Sequence, residues 1–245
     1  MISQPEGLNF LKPTRTLGAS QFQEIKQIEK ALKEIYLVSG LGADQRIFQM
    51  LKFEGYRPIH IRWLRPKRGE SIESYALRLT AQINTDKPTI IGLSFGGMIA
   101  VEIAKQIPVA KVVLLSSVKD FYEVPPYFRA FRWFPIHRIF PFKSILWAIY
   151  WFAYWVFGVD DPEERKLLKV ILLDTDPHFL KWALHRVVTW KNETVPKNLS
   201  HIHGQSDRIF PSLFVEPDFM LEQGGHLMVF NRAAEVSELI TKIIG

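Results

Sequence analysis

Short apolar runs and helical patterns alternate along most of the chain. The runs are four to six residues long and are bounded by polar, glycine or proline residues, which is typical of buried strands. They cover residues 35–38, 58–63, 88–91, 111–116, 199–203 and 218–221. Apolar residues at helical spacing predict helices over about residues 21–34, 46–52, 71–84 and 98–107 and at the end of the chain. This alternation predicts a mostly parallel sheet flanked by helices, an α/β fold.

The pattern breaks between residues 118 and 191. This stretch holds six of the seven tryptophans and half of the phenylalanines. The run 145–159 is apolar on every side, which predicts a buried helix, and it is shorter than the roughly 20 residues needed to span a bilayer. We therefore predict a lead-in and helix (1–34), a core (35–117 and 192–245) and a helical, aromatic-rich lid (118–191). The lid would cross the carboxyl edge of the sheet, where α/β proteins bind ligands.

Composition narrows the possible partners. The chain has 245 residues, 47% of them hydrophobic, which is enough for one large domain. Its formal charge of +6 reflects 31 basic against 25 acidic residues, and its basic cluster at residues 62–68 matches no nucleic-acid motif, so we expect no nucleic-acid partner. Basic residues also precede the apolar run, namely Arg129, Arg132, Arg138 and Lys143. They make peripheral membrane contact an alternative, but we favour a solvated lid surface.

The absence of cysteine limits the possible catalytic chemistry, and residues 1–20 indicate where in the cell the protein is expected. The chain has no cysteine, which excludes disulfides and thiol nucleophiles. Residues 1–20 lack the apolar core of a signal peptide, so we expect a cytoplasmic protein. The oligomeric state does not follow from the sequence.

The candidate nucleophile is Ser94. An apolar run leads into G-x-S-x-G and then into a helical pattern, which is the order that a nucleophile elbow requires. Such a serine occupies a strained turn with its hydroxyl exposed. Gly92 and Gly96 stand where the incoming strand and the outgoing helix nearly touch, so a side chain at either position would clash.

A serine hydroxyl needs a base, and the base needs a carboxylate that fixes its tautomer. His226 follows two glycines on the loop after the last predicted strand, so the sheet would bring it to the same edge as Ser94. Asp207 leaves another strand at that edge, within the motif H-G-x-x-D-x-x-x-P. We predict Asp207 as the acid, with Asp120, just after the strand 111–116, as the alternative.

Three motifs, which contain the serine, the acid and the histidine in that order, resemble those of a known family. With G-x-S-x-G-G, H-G-x-x-D-x-x-x-P and G-G-H, the chain resembles an α/β-hydrolase-fold protein over residues 35–117 and 198–244. The resemblance implies a triad of Ser94, Asp207 and His226, and an oxyanion hole made by the backbone N–H groups of Leu41 and Phe95. Two features depart from the family pattern. Ser39 stands where many relatives have histidine, and a predicted helix replaces the two antiparallel strands that usually come first.

These features predict a serine hydrolase that cleaves an ester or thioester through an acyl-enzyme on Ser94. The aromatic lid implies a small apolar acyl or aromatic substrate, and its candidate contacts are Phe121, Trp147 and Trp151. The same triad could instead serve carbon–carbon bond hydrolysis or acyl transfer, or the chain could be a non-catalytic binding or membrane-associated protein. No cofactor is expected. No metal is expected either, because His201 and His203 share a strand face without a third ligand.

Overall fold

The computed structural model describes residues 32–131 and 150–245, without the side chains of residues 150 and 151. Within these ranges six strands form one sheet in the order β2-β1-β3-β4-β5-β6. The strands are β1 (Lys33–Val38), β2 (Tyr56–His60), β3 (Thr89–Leu93), β4 (Lys111–Leu115), β5 (Leu199–Gly204) and β6 (Phe219–Leu221). The pairs β1–β3, β3–β4, β4–β5 and β5–β6 are all parallel. The predicted fold class, a mostly parallel sheet flanked by helices, is confirmed.

Helices flank the sheet. They are α1 (Ile72–Leu79), α2 (Phe95–Ala104), α3 (Pro126–Ala130), α4 (Tyr150–Phe157), α5 (Pro162–Asp174), α6 (Pro177–Thr189), α7 (Met228–Asn231) and α8 (Ala233–Ile244). Ser71 caps α1, since its side chain accepts a hydrogen bond from the N–H of Ser74. The predicted helices around residues 71–84, 98–107 and the end of the chain are present. The first is shorter than predicted, and the second begins and ends three residues earlier.

Both faces of the central strands β1, β3 and β4 are buried, which explains why these strands are apolar at successive positions. Along β1, Ile35 and Leu37 belong to one hydrophobic cluster, while Tyr36 and Val38 belong to another. The first cluster includes residues of α5 and α8, and the second includes residues of α1, α2 and α6. Two of the helices within 118–191 therefore pack into the same cores as the sheet.

The helix predicted over residues 46–52 is wrong. The structure has a single 3-10 turn there, Gln45–Phe48. This one turn already buries Ile47 and Phe48. The chain then leaves the turn, and the N–H of Lys52 donates to Ser237 Oγ on α8 at 3.0 Å.

The two strands nearest this turn also differ from prediction, since β1 begins earlier than predicted and β2 both begins and ends earlier. The strand predicted over 58–63 ends at His60, because Trp63 turns away and donates its indole N–H to the carbonyl of Ala43 at 3.0 Å. Strand β1 begins at Lys33, two residues earlier than predicted. The rest of the helix predicted over 21–34 lies outside the described residues.

Helices α5 and α6 begin in the same way. The side chains of Asp161 and Asp176 accept backbone N–H groups of the first turn, and a proline follows each aspartate. Proline suits the first helical position, where its missing N–H has no intrahelical acceptor. These two helices were not predicted from the periodicity.

Helix α4 covers most of the described part of the apolar run 145–159. It ends before Gly158, which has a φ of +67°. The prediction that this helix is buried on all sides is wrong, because Trp155 is 54% exposed. Its ring stacks on Phe152 and lies 4.7 Å from the guanidinium of Arg208, a contact that tolerates solvent. No helix in the described ranges has both the length and the apolarity needed to cross a bilayer.

Candidate active site

Ser94 occupies the turn between β3 and α2. Its φ of 53° and ψ of −122° lie in a region that costs about 1 to 3 kcal/mol for a residue with a side chain. A Cβ atom on Gly92 would lie 2.4 Å from the carbonyl oxygen of Gly96, and a Cβ on Gly96 would lie 2.2 Å from that of Val38. At Gly92 the incoming strand and the outgoing helix therefore nearly touch, as predicted, whereas the close approach at Gly96 is to the neighbouring strand β1. A hydrogen bond of 2.9 Å from the N–H of Ser94 to the carbonyl of Leu115 holds the turn.

Ser94, His226 and Asp207 form one hydrogen-bonded chain. His226 Nε2 lies 2.9 Å from Ser94 Oγ, and His226 Nδ1 lies 2.7 Å from Asp207 Oδ2. Asp207 follows β5 and His226 follows β6, so the parallel strands deliver all three side chains to one edge of the sheet. A carboxylate can only accept, so Nδ1 carries the imidazole proton. Nε2 is then an acceptor for the hydroxyl of Ser94.

Asp207 is buried and well supplied with donors. Its Oδ1 accepts the backbone N–H groups of Ile209 at 2.8 Å and Phe210 at 2.9 Å, and its Oδ2 faces His226. Burial alone would raise the pKa of this carboxyl, but the charge of His226 and the hydrogen bonds outweigh it and hold the pKa below its usual value. Asp207 is therefore ionised at neutral pH.

Asp120, the alternative acid, has a different role. Its Oδ1 accepts the backbone N–H groups of Tyr122 at 2.8 Å and Glu123 at 3.1 Å. These bonds stabilise the turn after β4. Of the two candidate acids, Asp207 is the one that the structure brings to His226.

The two residues predicted to donate N–H groups to the oxyanion both lie at the cavity beside Ser94. Leu41 lies on the loop after β1, Phe95 is the first residue of α2, and both line a cavity together with Ser94 and His226. The first N–H groups of a helix have no intrahelical acceptor, so that of Phe95 is available. Ser39 is buried and its Oγ donates to the carbonyl of Ala43 at 2.7 Å. The serine that replaces the family's histidine thus braces the loop from within.

The cavity beside Ser94 has a volume of about 230 Å³. Apart from Ser94 and His226, its described lining consists of Gly, Ala, Val, Leu, Ile and Phe residues, without a charged side chain. Helices α5 and α6 contribute six aliphatic residues, which are Leu168, Ile171, Leu172, Leu184, Val187 and Val188. An apolar group bound here would lose its contact with water without meeting an unpaired charge.

Comparison with known proteins adds to this geometry. The sequence matches the model of the Alpha/beta hydrolase family over residues 35–239. The chain belongs to this family. No curated protein matches the sequence.

Solved structures of this hydrolase fold resemble the chain over most of its length. An enol-lactonase from Burkholderia xenovorans LB400 is 16% identical with a TM-score of 0.67, over 87% of this chain and 91% of that one. An esterase from Exiguobacterium antarcticum is 16% identical with a TM-score of 0.66, over 87% and 92%. A lipase-esterase related protein from Clostridium acetobutylicum is 21% identical with a TM-score of 0.64, over 88% and 96%. At these identities the likeness shows the fold alone.

The predicted substrate contacts of this hydrolase have different outcomes. Phe121 is not among the described residues that line the cavity beside Ser94. Its ring contacts Tyr122 and lies 4.9 Å from the guanidinium of Arg129. Trp147 and the side chain of Trp151 lie outside the described residues. The substrate contact predicted for Phe121 therefore stays a prediction.

A pair of buried histidines, His201 and His203, lies behind the candidate triad. His203 Nε2 is 2.8 Å from the carbonyl of Phe210, and His203 Nδ1 is 3.2 Å from His201 Nε2. The carbonyl can only accept, so His203 is protonated on Nε2 and accepts on Nδ1 from His201. In the described part of the chain, no three potential ligands are grouped as a metal ion requires. These two histidines therefore hold each other and the turn that follows Asp207.

Burial of this pair predicts a pH-dependent stability. Burial lowers the pKa of both imidazoles, and the neighbouring His203 lowers the pKa of His201 further. As pH falls below about 6.5, the unfolded chain takes up protons that the folded protein does not, so the free energy of unfolding falls. Asp207 adds nothing in this window, because its lowered pKa matters only below about pH 4.

We expect His201→Phe to flatten this dependence, because it keeps a ring but removes one titrating group. Urea unfolding of the wild type and the variant between pH 6.5 and about 5 measures how the free energy of unfolding depends on pH. Each buried histidine contributes up to about 1.4 kcal/mol per pH unit to this slope. Equal slopes for the two proteins would contradict the assignment of His201 as neutral in the folded state.

Proposed function

We propose that this hydrolase cleaves an ester or thioester of a small apolar acyl or aromatic substrate through an acyl-enzyme on Ser94. The observation that carries the proposal is the hydrogen-bonded chain from Asp207 through His226 to Ser94, which faces an apolar cavity of about 230 Å³. Membership of the family supports hydrolysis as the class of reaction. The apolar lining supports the class of substrate.

In the proposed first step, Ser94 Oγ attacks the carbonyl carbon and its proton passes to His226 Nε2. The carbonyl oxygen becomes an oxyanion and accepts the N–H groups of Leu41 and Phe95. When the carbon–oxygen or carbon–sulfur bond breaks, His226 returns the proton to the leaving alcohol or thiol. Asp207 holds Nδ1–H and stabilises the imidazolium between the two transfers.

In the second step, water attacks the acyl-enzyme and gives its proton to His226. The ester bond to Ser94 breaks, Ser94 regains a proton from His226, and the carboxylic acid leaves. Because α5 and α6 supply much of the cavity lining, we propose that the segment 118–191 acts as a lid that shields the acyl group from solvent.

The size of the cavity predicts a preference for short to medium acyl chains. Its volume lies below the roughly 300 to 1,000 Å³ of sites for drug-sized ligands. With p-nitrophenyl esters from acetate to laurate, we expect kcat/KM to rise about three- to fourfold per methylene until the cavity is full, and then to fall.

Two neighbouring leucines of α5 offer a matched test of this preference. Leu172 lines the cavity, whereas Leu173 is 55% exposed. Leu172→Trp is expected to move the optimum to shorter esters, and Leu173→Trp is expected to leave it unchanged. Faster hydrolysis of an ester with a charged acyl group, or no shift with Leu172→Trp, would contradict the proposed substrate class.

A further inference from the structure

Thr175 connects the segment 118–191 to the loop that carries Leu41. It follows the last residue of α5, and its Oγ1 lies 2.6 Å from the carbonyl oxygen of Gly42 and 3.0 Å from that of Ile171. A threonine hydroxyl has one proton to donate. The shorter contact, to Gly42, is the stronger hydrogen bond, and it links residues 133 positions apart.

The loop that Thr175 contacts is a tight turn. The N–H of Ala43 donates to the carbonyl of Gly40 at 3.0 Å, and Gly42 has a φ of +74°. Leu41 is not among the described residues with positive φ. This combination defines a type II turn, in which the third residue must adopt a positive φ. A Cβ on Gly42 would also lie 2.8 Å from Thr175 Oγ1, so glycine is required for this contact as well.

The direction of the Leu41 N–H follows from the bonds of this turn. In a trans peptide, C=O and N–H point in opposite directions, so the carbonyl of Gly40, held by Ala43, sends the N–H of Leu41 the other way. The carbonyl of Ala43 is held by Ser39 Oγ at 2.7 Å and by the indole N–H of Trp63 at 3.0 Å. The carbonyl of Gly42, which lies between those of Gly40 and Ala43 along the chain, accepts the hydroxyl of Thr175.

We infer that Thr175 is a positioning residue that fixes the turn 40–43 and thereby aims the N–H of Leu41 at the oxyanion. The inference rests on the proposed function. Glycine has more backbone freedom than any other residue type. Without the Thr175 hydroxyl, the peptide between Gly42 and Ala43 is therefore free to rotate out of its position in the turn. The segment 118–191 then does more than line the cavity, because it also holds the oxyanion loop.

The test compares three substitutions. Thr175→Val keeps the shape but removes the hydroxyl, and it is expected to lower kcat about tenfold with KM changed less than about twofold, short of the 10² to 10³ lost when a donor is deleted. Thr175→Ser keeps the hydroxyl and is expected to restore kcat to within about twofold. Asp174→Asn is the control, since it weakens only an exposed ion pair of 2.8 Å to Arg46 between the same two segments.

A second measurement separates this inference from the proposed function. Amide hydrogen exchange of residues 40–43 is expected to be faster in Thr175→Val than in the wild type, with β5 unchanged. Wild-type kcat in Thr175→Val, equal losses in the Val and Ser variants, or unchanged exchange would each overturn the inference. If the wild type hydrolyses no ester, the proposed function fails, and exchange alone then decides whether Thr175 holds the turn.

Discussion

Ser94→Ala is expected to lower kcat for the best p-nitrophenyl ester by about 10⁶-fold, or to the rate of spontaneous hydrolysis. The reason is that every proposed bond change passes through Ser94 Oγ, which lies 2.9 Å from His226 Nε2. Removal of the hydroxyl leaves the cavity and the N–H groups of Leu41 and Phe95 intact. Substrate binding should therefore survive while acylation stops.

A double variant provides the control for this loss. Substitutions within one catalytic unit are not additive, because His226 has no proton to accept once the Ser94 hydroxyl is gone. The double variant Ser94→Ala, His226→Ala should therefore have a kcat no lower than that of Ser94→Ala alone. Circular dichroism and thermal unfolding confirm that each variant is folded. A folded Ser94→Ala protein with a tenth of the wild-type kcat would show that hydrolysis does not use this serine.

Asp207→Asn is expected to lower kcat by about 10⁴-fold. The Oδ1 atom already accepts the N–H groups of Ile209 and Phe210, so the oxygen of asparagine should stay there and its NH₂ should face His226. An NH₂ group donates, which forces the imidazole proton onto Nε2. In that tautomer His226 cannot accept the proton of Ser94.

Asp120→Asn is the matched control for this change. Asp120 uses one oxygen for the N–H groups of Tyr122 and Glu123, and asparagine retains that oxygen. We expect kcat within about twofold of the wild type and little change in the melting temperature. Steady-state kinetics of both variants decide between the two acids, because a large loss in Asp120→Asn with a small loss in Asp207→Asn would reverse the assignment.

The sequence was sufficient to predict the sheet and the meeting of Ser94, Asp207 and His226. Each of these residues follows a short apolar run, and parallel strands present their carboxyl ends at one edge, so the strand pattern alone brings such residues close. The glycines around Ser94 carry a steric requirement that can be recognised from spacing. The prediction of a helix over 46–52 was wrong because burial of Ile47 and Phe48 takes one turn and the chain then departs.

Helices were predicted for the segment 118–191, but α5 and α6 were not located individually, although the sequence contains a signal for where they begin. Asp161-Pro162 and Asp176-Pro177 each place a capping carboxylate before a proline, a local pattern that marks a helix start more sharply than hydrophobic periodicity. The high aromatic content of 118–191 instead favoured Phe121, Trp147 and Trp151 as the predicted substrate contacts. The described lining shows that aliphatic residues of α5 and α6 form much of the wall.

The role of Thr175 could not be predicted from the sequence. Its contact with Gly42 joins residues 133 positions apart, and no motif or spacing links them. Only the packing of α5 against the loop after β1 brings the hydroxyl to that carbonyl.

The most direct measurement of the central claim is the intact mass of the protein after reaction with a fluorophosphonate. We expect one adduct per chain, mapped to Ser94 by peptide fragmentation, and a labelling rate at least about 10³-fold lower in His226→Ala. A folded wild-type protein that gains no adduct, or gains it at another residue, would contradict the assignment of Ser94 as a nucleophile activated by His226.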